Sequence, residues 1–224
     1  MSVAAGVASR PHIYLFWDNS NIFVPAKYVA QRREGGFAER DVRIHFRNMY
    51  QLAVAGRPLA KAVAVGSVPP EFRKLWDRLQ KETGIQIELY ERGRSSGTEQ
   101  AVDEALQVHM LRTLHDVQPP QVAVLLSGDG AGYVSGAGFH ADLERMHKAG
   151  WGIEVISWDM VCNNALREWA RNVGVYVRLE DHYNSVTFLE GIRAPLALSL
   201  THRQYSTPKG AAGAQSPAPA EVQT

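Results

Sequence analysis

Apolar positions along this chain alternate between two patterns. Short continuous apolar runs, the mark of strands buried on both faces, occur at 13–17 and 122–126, and further strands read at 60–65, 85–90 and 152–158, with a last short one at 175–177. Between them, apolar residues recur at helical spacing over 21–33, 41–53 (Val42, Phe46, Met49, Leu52) and 71–82 (Phe72, Leu75, Trp76, Leu79). The same spacing marks 99–114 (Val102, Leu106, Met110, Leu114), 139–148 and 163–172. Gly35-Gly36, Gly84, Gly150 and Gly174 supply the stops. Residues 131–138 read as a glycine-rich loop, and 183–189 as an edge segment. Strand alternating with helix predicts an α/β fold, a parallel sheet flanked by helices on both faces.

A chain of 224 residues suits one such core. Residues 1–11 are mostly small and predict a flexible start. The domain then covers 12–193. From Ala194 onward Pro195 interrupts regular structure, and Ala, Pro, Ser, Thr and Gln come to dominate, so 194–224 is expected to form a disordered tail. Composition adds little: 45% hydrophobic and 21% charged residues are ordinary for a soluble globular protein. A net charge of +1 gives no global case for nucleic acid or a membrane surface, so any such case is local. The single Cys162 cannot form an intramolecular disulfide and reads as a small buried apolar residue. No apolar run has signal-peptide or bilayer-spanning length, and a reducing cytoplasmic setting is expected. A homodimer stays open.

Chemistry is carried by three acids. The first strand stops at Asp18-Asn19-Ser20-Asn21 and the fourth at Ser127-Gly128-Asp129-Gly130, while Asp103 falls in the first turns of helix 99–114. In open α/β sheets the ligand crevice lies beyond the carboxyl ends of the strands. With the first and fourth strands as neighbours, Asp18 and Asp129 would stand about 5 Å apart. Gathered carboxylates repel unless something positive sits among them, and a hard divalent cation such as Mg²⁺ or Mn²⁺ is the usual partner. Each acid also has a plain structural role: Asp18 as a helix cap, Asp103 as a first-turn acid, Asp129 as a turn residue, with Ser96-x-x-Glu99 as a capping box.

Trp17-Asp18-Asn19-Ser20-Asn21, Ala101-Val102-Asp103-Glu104-Ala105-Leu106 and Leu126-Ser127-Gly128-Asp129-Gly130, followed by Ile153–Trp158, resemble the blocks of the NYN family of PIN-like ribonucleases, from His12 to about Gly191. The resemblance implies a PIN-like, Rossmannoid fold and metal-dependent cleavage of RNA. It makes Asp18, Asp103 and Asp129 the ligands of Mg²⁺ or Mn²⁺ and the catalytic acids. Asn21 would orient the first of them or touch the substrate backbone, and Asn19 and Ser127 join it as substrate contacts. Two departures stand out. The family's further acid in the third block corresponds to Ala131, or to Gly138 before Phe139, and the Lys and Gly common before the second block are Gln100 and Ala101 here. Asp142 and Asp159 are the acids left to fill the gap. Phosphate contacts fall to cations near the acids, Arg43 beside the second helix and Arg94 in the loop before Asp103. The rival is a PIN-like module that binds RNA or a protein partner without cutting.

Overall fold

The computed structural model describes residues 10–68, 73–91 and 97–208. In chain order its first half is β1 (Ile13–Asp18), α1 (Asn19–Glu34), α2 (Ala38–Asp41), β2 (Val42–Ile44), α3 (Phe46–Val54), β3 (Leu59–Val68), α4 (Arg73–Thr83) and β4 (Gln86–Glu91). The second half is α5 (Gly97–Asp116), β5 (Val122–Leu126), α6 (Gly138–Lys148), β6 (Gly152–Ser157), α7 (Asn164–Val173), β7 (Val175–Arg178), α8 (Tyr183–Val186) and β8 (Thr187–Leu189). Six strands form one sheet in the order β4-β3-β1-β5-β6-β7, each neighbouring pair parallel. The chain builds outward from β1 through β3 to β4. Helix α5 then returns it to the other side of β1, where β5, β6 and β7 follow. The winding reverses between β1 and β5, and such a reversal opens a crevice at the carboxyl ends of those two strands.

The first apolar run is continuous because both faces of β1 are covered. Ile13, Leu15 and Trp17 enter a layer with Ile22 and Val29 of α1, Met49 and Leu52 of α3, and Trp76 and Leu79 of α4. Phe16 enters the opposite layer with Leu106 and Met110 of α5, Leu143 and Met146 of α6, and Leu166 of α7. Under the carboxyl end of β1, Trp17, Phe46 and Trp76 pack ring on ring, with centroids 5.5, 4.6 and 6.1 Å apart. No helix among the described residues is long and apolar enough to cross a membrane.

Two expectations give way. The helix expected over 41–53 divides into α2, β2 and α3. Val42 and Ile44 point into the core while Arg43 points outward, a two-residue period that pairs antiparallel with β8. The helical spacing read through Val42 and Phe46 therefore bridged a break at His45. The segment at 183–189 accordingly pairs with β2 rather than with the edge of the main sheet.

The segment after Ala194 also departs from the tail expected there. Leu198 and Leu200 pack on the first layer, and Asn48 Nδ2 donates to the carbonyl of Leu196 at 3.2 Å. The physical reason is Glu154 in β6, which is fully buried. Its carboxylate accepts from Arg57 at 2.6 and 2.9 Å, from Arg203, and from the Ser206 N–H at 2.7 Å. Burial alone would raise this carboxyl, but Arg203 and Arg57 outweigh it and hold it below its ordinary range. A buried carboxylate needs such partners, and two of the three come from beyond residue 194. Packed structure thus continues to at least Pro208.

Candidate functional site

Asp18 stands at the reversal point. It ends β1 beside Val65 of β3, one residue past the pairing of Trp17 with Leu126 of β5. It also caps α1: Oδ1 accepts the Asn21 N–H at 3.0 Å. Oδ2 accepts the Ser127 hydroxyl at 3.2 Å. The residue is only 2% exposed. Burial pushes its carboxyl up to about 6, and the charge of Asp129 acts in the same direction. Bonds from Asn21, Ser127 and the Ser20 backbone oppose the rise without cancelling it. No cationic side chain among the described residues appears in this balance.

Strand β5 delivers the second acid. Ser127 is fully buried, and while its hydroxyl donates to Asp18 its oxygen accepts the Asp129 N–H at 3.2 Å. One hydroxyl thus bridges the two acidic residues. Asp129 is half-buried, and its Oδ1 accepts the Ala131 N–H at 2.9 Å, the turn role that its glycine neighbours suggested. Asn21 Oδ1 accepts the Gly128 N–H at 2.8 Å and so ties the start of α1 to the end of β5. Close approach explains the glycines here. A Cβ on Gly128 would lie 2.4 Å from Ser157 Oγ and 3.1 Å from Cys162 Cα, and one on Gly130 would lie 2.3 Å from Asn163 Cγ.

Asp18, Asn21, Ser127 and Asp129 are therefore brought together. Asn19 is buried against Gly66, whose missing Cβ would sit 3.2 Å from the Asn19 Cβ, and its Oδ1 has no hydrogen-bond partner. Asp103 lies half-buried on α5. Among the described residues no group of three or more His, Cys, Asp or Glu is close enough to hold an ion, so the three acids do not close on one by themselves. Arg43 is committed elsewhere: it donates to the carbonyls of Arg40 and Val42 at 2.6 and 2.9 Å and pairs with Glu190 at 2.7 Å. Arg94 and Ser96 lie outside the described residues, and the Glu99 side chain is not described.

The gap in the third block is not filled by the acids proposed for it. Asp142 pairs with Arg145 at 2.7 Å, and Asp159 faces Arg171 at 3.1 Å and Arg178 at 3.6 Å. Gly138 cannot carry an acid, since at φ +81° its Cβ would lie 2.0 Å from the Ala131 carbonyl oxygen. Ala131 is exposed and can. Residues that sequence reasoning passed over hold the loop behind Asp129. Tyr133 stacks on His140 at 3.9 Å and donates to Glu144 at 2.7 Å, Arg145 reaches the Gly136 carbonyl, and Gln107 receives the Gly138 N–H. Their partners differ in type, and no regular spacing in the sequence announces them.

Comparison with known proteins decides the family. The NYN domain matches residues 12–174, more than half of the chain and all of the strands that meet at the site. The chain belongs to the NYN family. A protein of unknown function from Vibrio parahaemolyticus has the same fold in its crystal structure, with a TM-score of 0.54 at 14% identity over 81% of this chain and 98% of that one. No curated protein sequence matches. The NYN domain here is thus a PIN-like, nuclease-like module, of a family whose members are typically ribonucleases and generally use divalent metals.

The donor set of this NYN domain can be tested against such a metal. Two hard carboxylates stand together at the crevice, one of them pushed up to about 6 by burial and then by the charge of the other. That suits an ion of the Mg²⁺ kind, which commonly takes one or two carboxylates and fills its shell with waters and phosphate oxygens. It does not suit a cage made of protein ligands alone.

Proposed function

We propose that this NYN domain is a divalent-metal-dependent endoribonuclease, working with Mg²⁺ or Mn²⁺ in a reducing cytoplasm. The observation that carries the reading is the buried Asp18 with the half-buried Asp129 beside it, at the point where the sheet reverses. In the hydrolysis a water oxygen bonds to phosphorus as the P–O bond to the leaving oxygen breaks. Asp18 and Asp129 would hold the cation, with Asp103 approaching from α5 once substrate is bound. The bound ion supplies Lewis acidity and an activated water.

The chain's own groups do the positioning. Ser127 donates to Asp18 Oδ2 and the Asn21 N–H to Oδ1, which fixes the carboxylate plane before any ligand arrives. Asn21 spends its oxygen on Gly128, which leaves its Nδ2 to donate to a phosphate oxygen. Trp17 closes the floor against water from below. Arg94, from the loop ahead of Asp103, is the residue we assign to a flanking phosphate.

A denaturing-gel assay on end-labelled RNA, with Mg²⁺ or Mn²⁺ restored after EDTA, tests this reading. Cleavage should need the metal and vanish in Asp18→Asn and Asp129→Asn proteins that stay folded. Wild-type cleavage by either variant refutes the assignment. Absence of any cleavage by the wild type, with RNA still bound, supports the non-cutting module instead.

A further inference from the structure

Helix α1 leaves the site with an exposed face that the reaction does not use. Ser20, Val24, Tyr28 and Arg32 are spaced four apart and so form one row along the helix. The row starts in the turn whose N–H groups hold Asp18 and runs about 18 Å from it. Val24 is 51% and Tyr28 44% exposed, large apolar side chains with no cover among the described residues. Cations interleave with the rings: Arg32 lies over Tyr28 at 5.8 Å, and Lys27 lies over Phe23 at 5.2 Å. The helix has no acid in its first turn, and its Glu34 is paired with Arg193 at 3.1 Å.

We infer that this face of α1 is a stacking track for single-stranded RNA, with Tyr28 as its base platform and Lys27 and Arg32 as its phosphate contacts. The inference rests on the ribonuclease reading and adds the path by which the strand reaches Asp18. Aromatic rings set among cations are the general means of holding single strands without base readout. Charge complementarity favours this occupant. A second copy docking by a two-fold axis would bring Lys27 and Arg32 near their own counterparts, a like-charge contact. Two exposed apolar side chains also fall well short of the roughly 800 Å² per partner of a stable interface.

The experiment is fluorescence anisotropy of a labelled oligouridylate with the full chain in EDTA, where no bond is cut. Tyr28→Ala should weaken binding about tenfold, within the range of a lost base stack. Tyr28→Phe should bind like the wild type, since the ring and not the hydroxyl is needed. Arg32→Ala should lower affinity and reduce the salt slope by about one. Unchanged binding by Tyr28→Ala, or no binding of oligouridylate by the wild type, overturns the track. Loss of a dimer in sedimentation with affinity intact would assign the face to a second copy. Metal-dependent cleavage that needs Asp18 but not Tyr28 sinks the track and keeps the nuclease. Tyr28-dependent binding without cleavage does the reverse.

Discussion

Asp18→Asn makes a prediction about stability that is independent of activity. In the folded protein the Asp18 carboxyl rises from 3.8 to about 6, chiefly through burial and then through the charge of Asp129. Below pH 4 both folded and unfolded chains carry the proton. As the pH rises toward 6 the unfolded chain ionises first, so the folded state binds more protons and loses stability with increasing pH. Above pH 6 the loss is complete, and two units correspond to about 3 kcal/mol. Asparagine removes the charge and keeps the cap, since it is as good an N-cap as aspartate. The Ser127 hydroxyl can turn to accept from the new amide. After allowance for imperfect repacking, a gain of about 2 kcal/mol is expected at pH 8 without metal. For a domain of this size that is an increase of roughly 4–8 °C in Tm. Thermal unfolding in EDTA, repeated from pH 4 to pH 8, gives the test. The advantage of the variant should shrink as the pH falls and vanish near pH 4. A variant that is no more stable at pH 8, or whose advantage does not depend on pH, refutes the claim that Asp18 is an uncompensated buried charge.

Two further outcomes follow from the packing. Ala131→Asp should raise Mn²⁺ affinity in calorimetry, while Gly138→Asp should unfold at lower denaturant, because its Cβ would meet the Ala131 carbonyl oxygen at 2.0 Å. Ending the chain after Arg193 should cost about 3 kcal/mol or more in urea unfolding, since it strips Arg203 and the Ser206 N–H from the buried Glu154. Undiminished stability would mean that Arg57 alone satisfies that carboxylate.

The first strand, its terminal acid and the third block were legible because each is local. A five-residue apolar run can only sit where both faces are covered, and β1 does. The break inside 41–53 was not legible, because Val42, Phe46 and Met49 satisfy helical spacing while the alternation that makes β2 a strand lasts three residues. Its deciding partner, β8, lies far along the chain. The docking of 194–208 was hidden for a related reason. Its three leucines are interrupted by Pro195 and followed by a polar, Ala- and Pro-rich run, and the contact that draws its end down is the single buried charge of Glu154. At the site, sequence could name Asp18 and Asp129 but not the Ser127 hydroxyl that bridges them, nor Arg43's commitment to Glu190.

The central claim is that Asp18 and Asp129 form half of a cation site that substrate phosphate completes. Electron paramagnetic resonance of free Mn²⁺ measures it directly, in titrations of the metal-free protein with and without a nucleoside 5′-monophosphate, which offers phosphate oxygens but no bond to cut. One ion should bind weakly alone and at least tenfold more tightly with the nucleotide, and Asp18→Asn should lose both. Tight binding of two ions without nucleotide, or an affinity the nucleotide leaves unchanged, would contradict it.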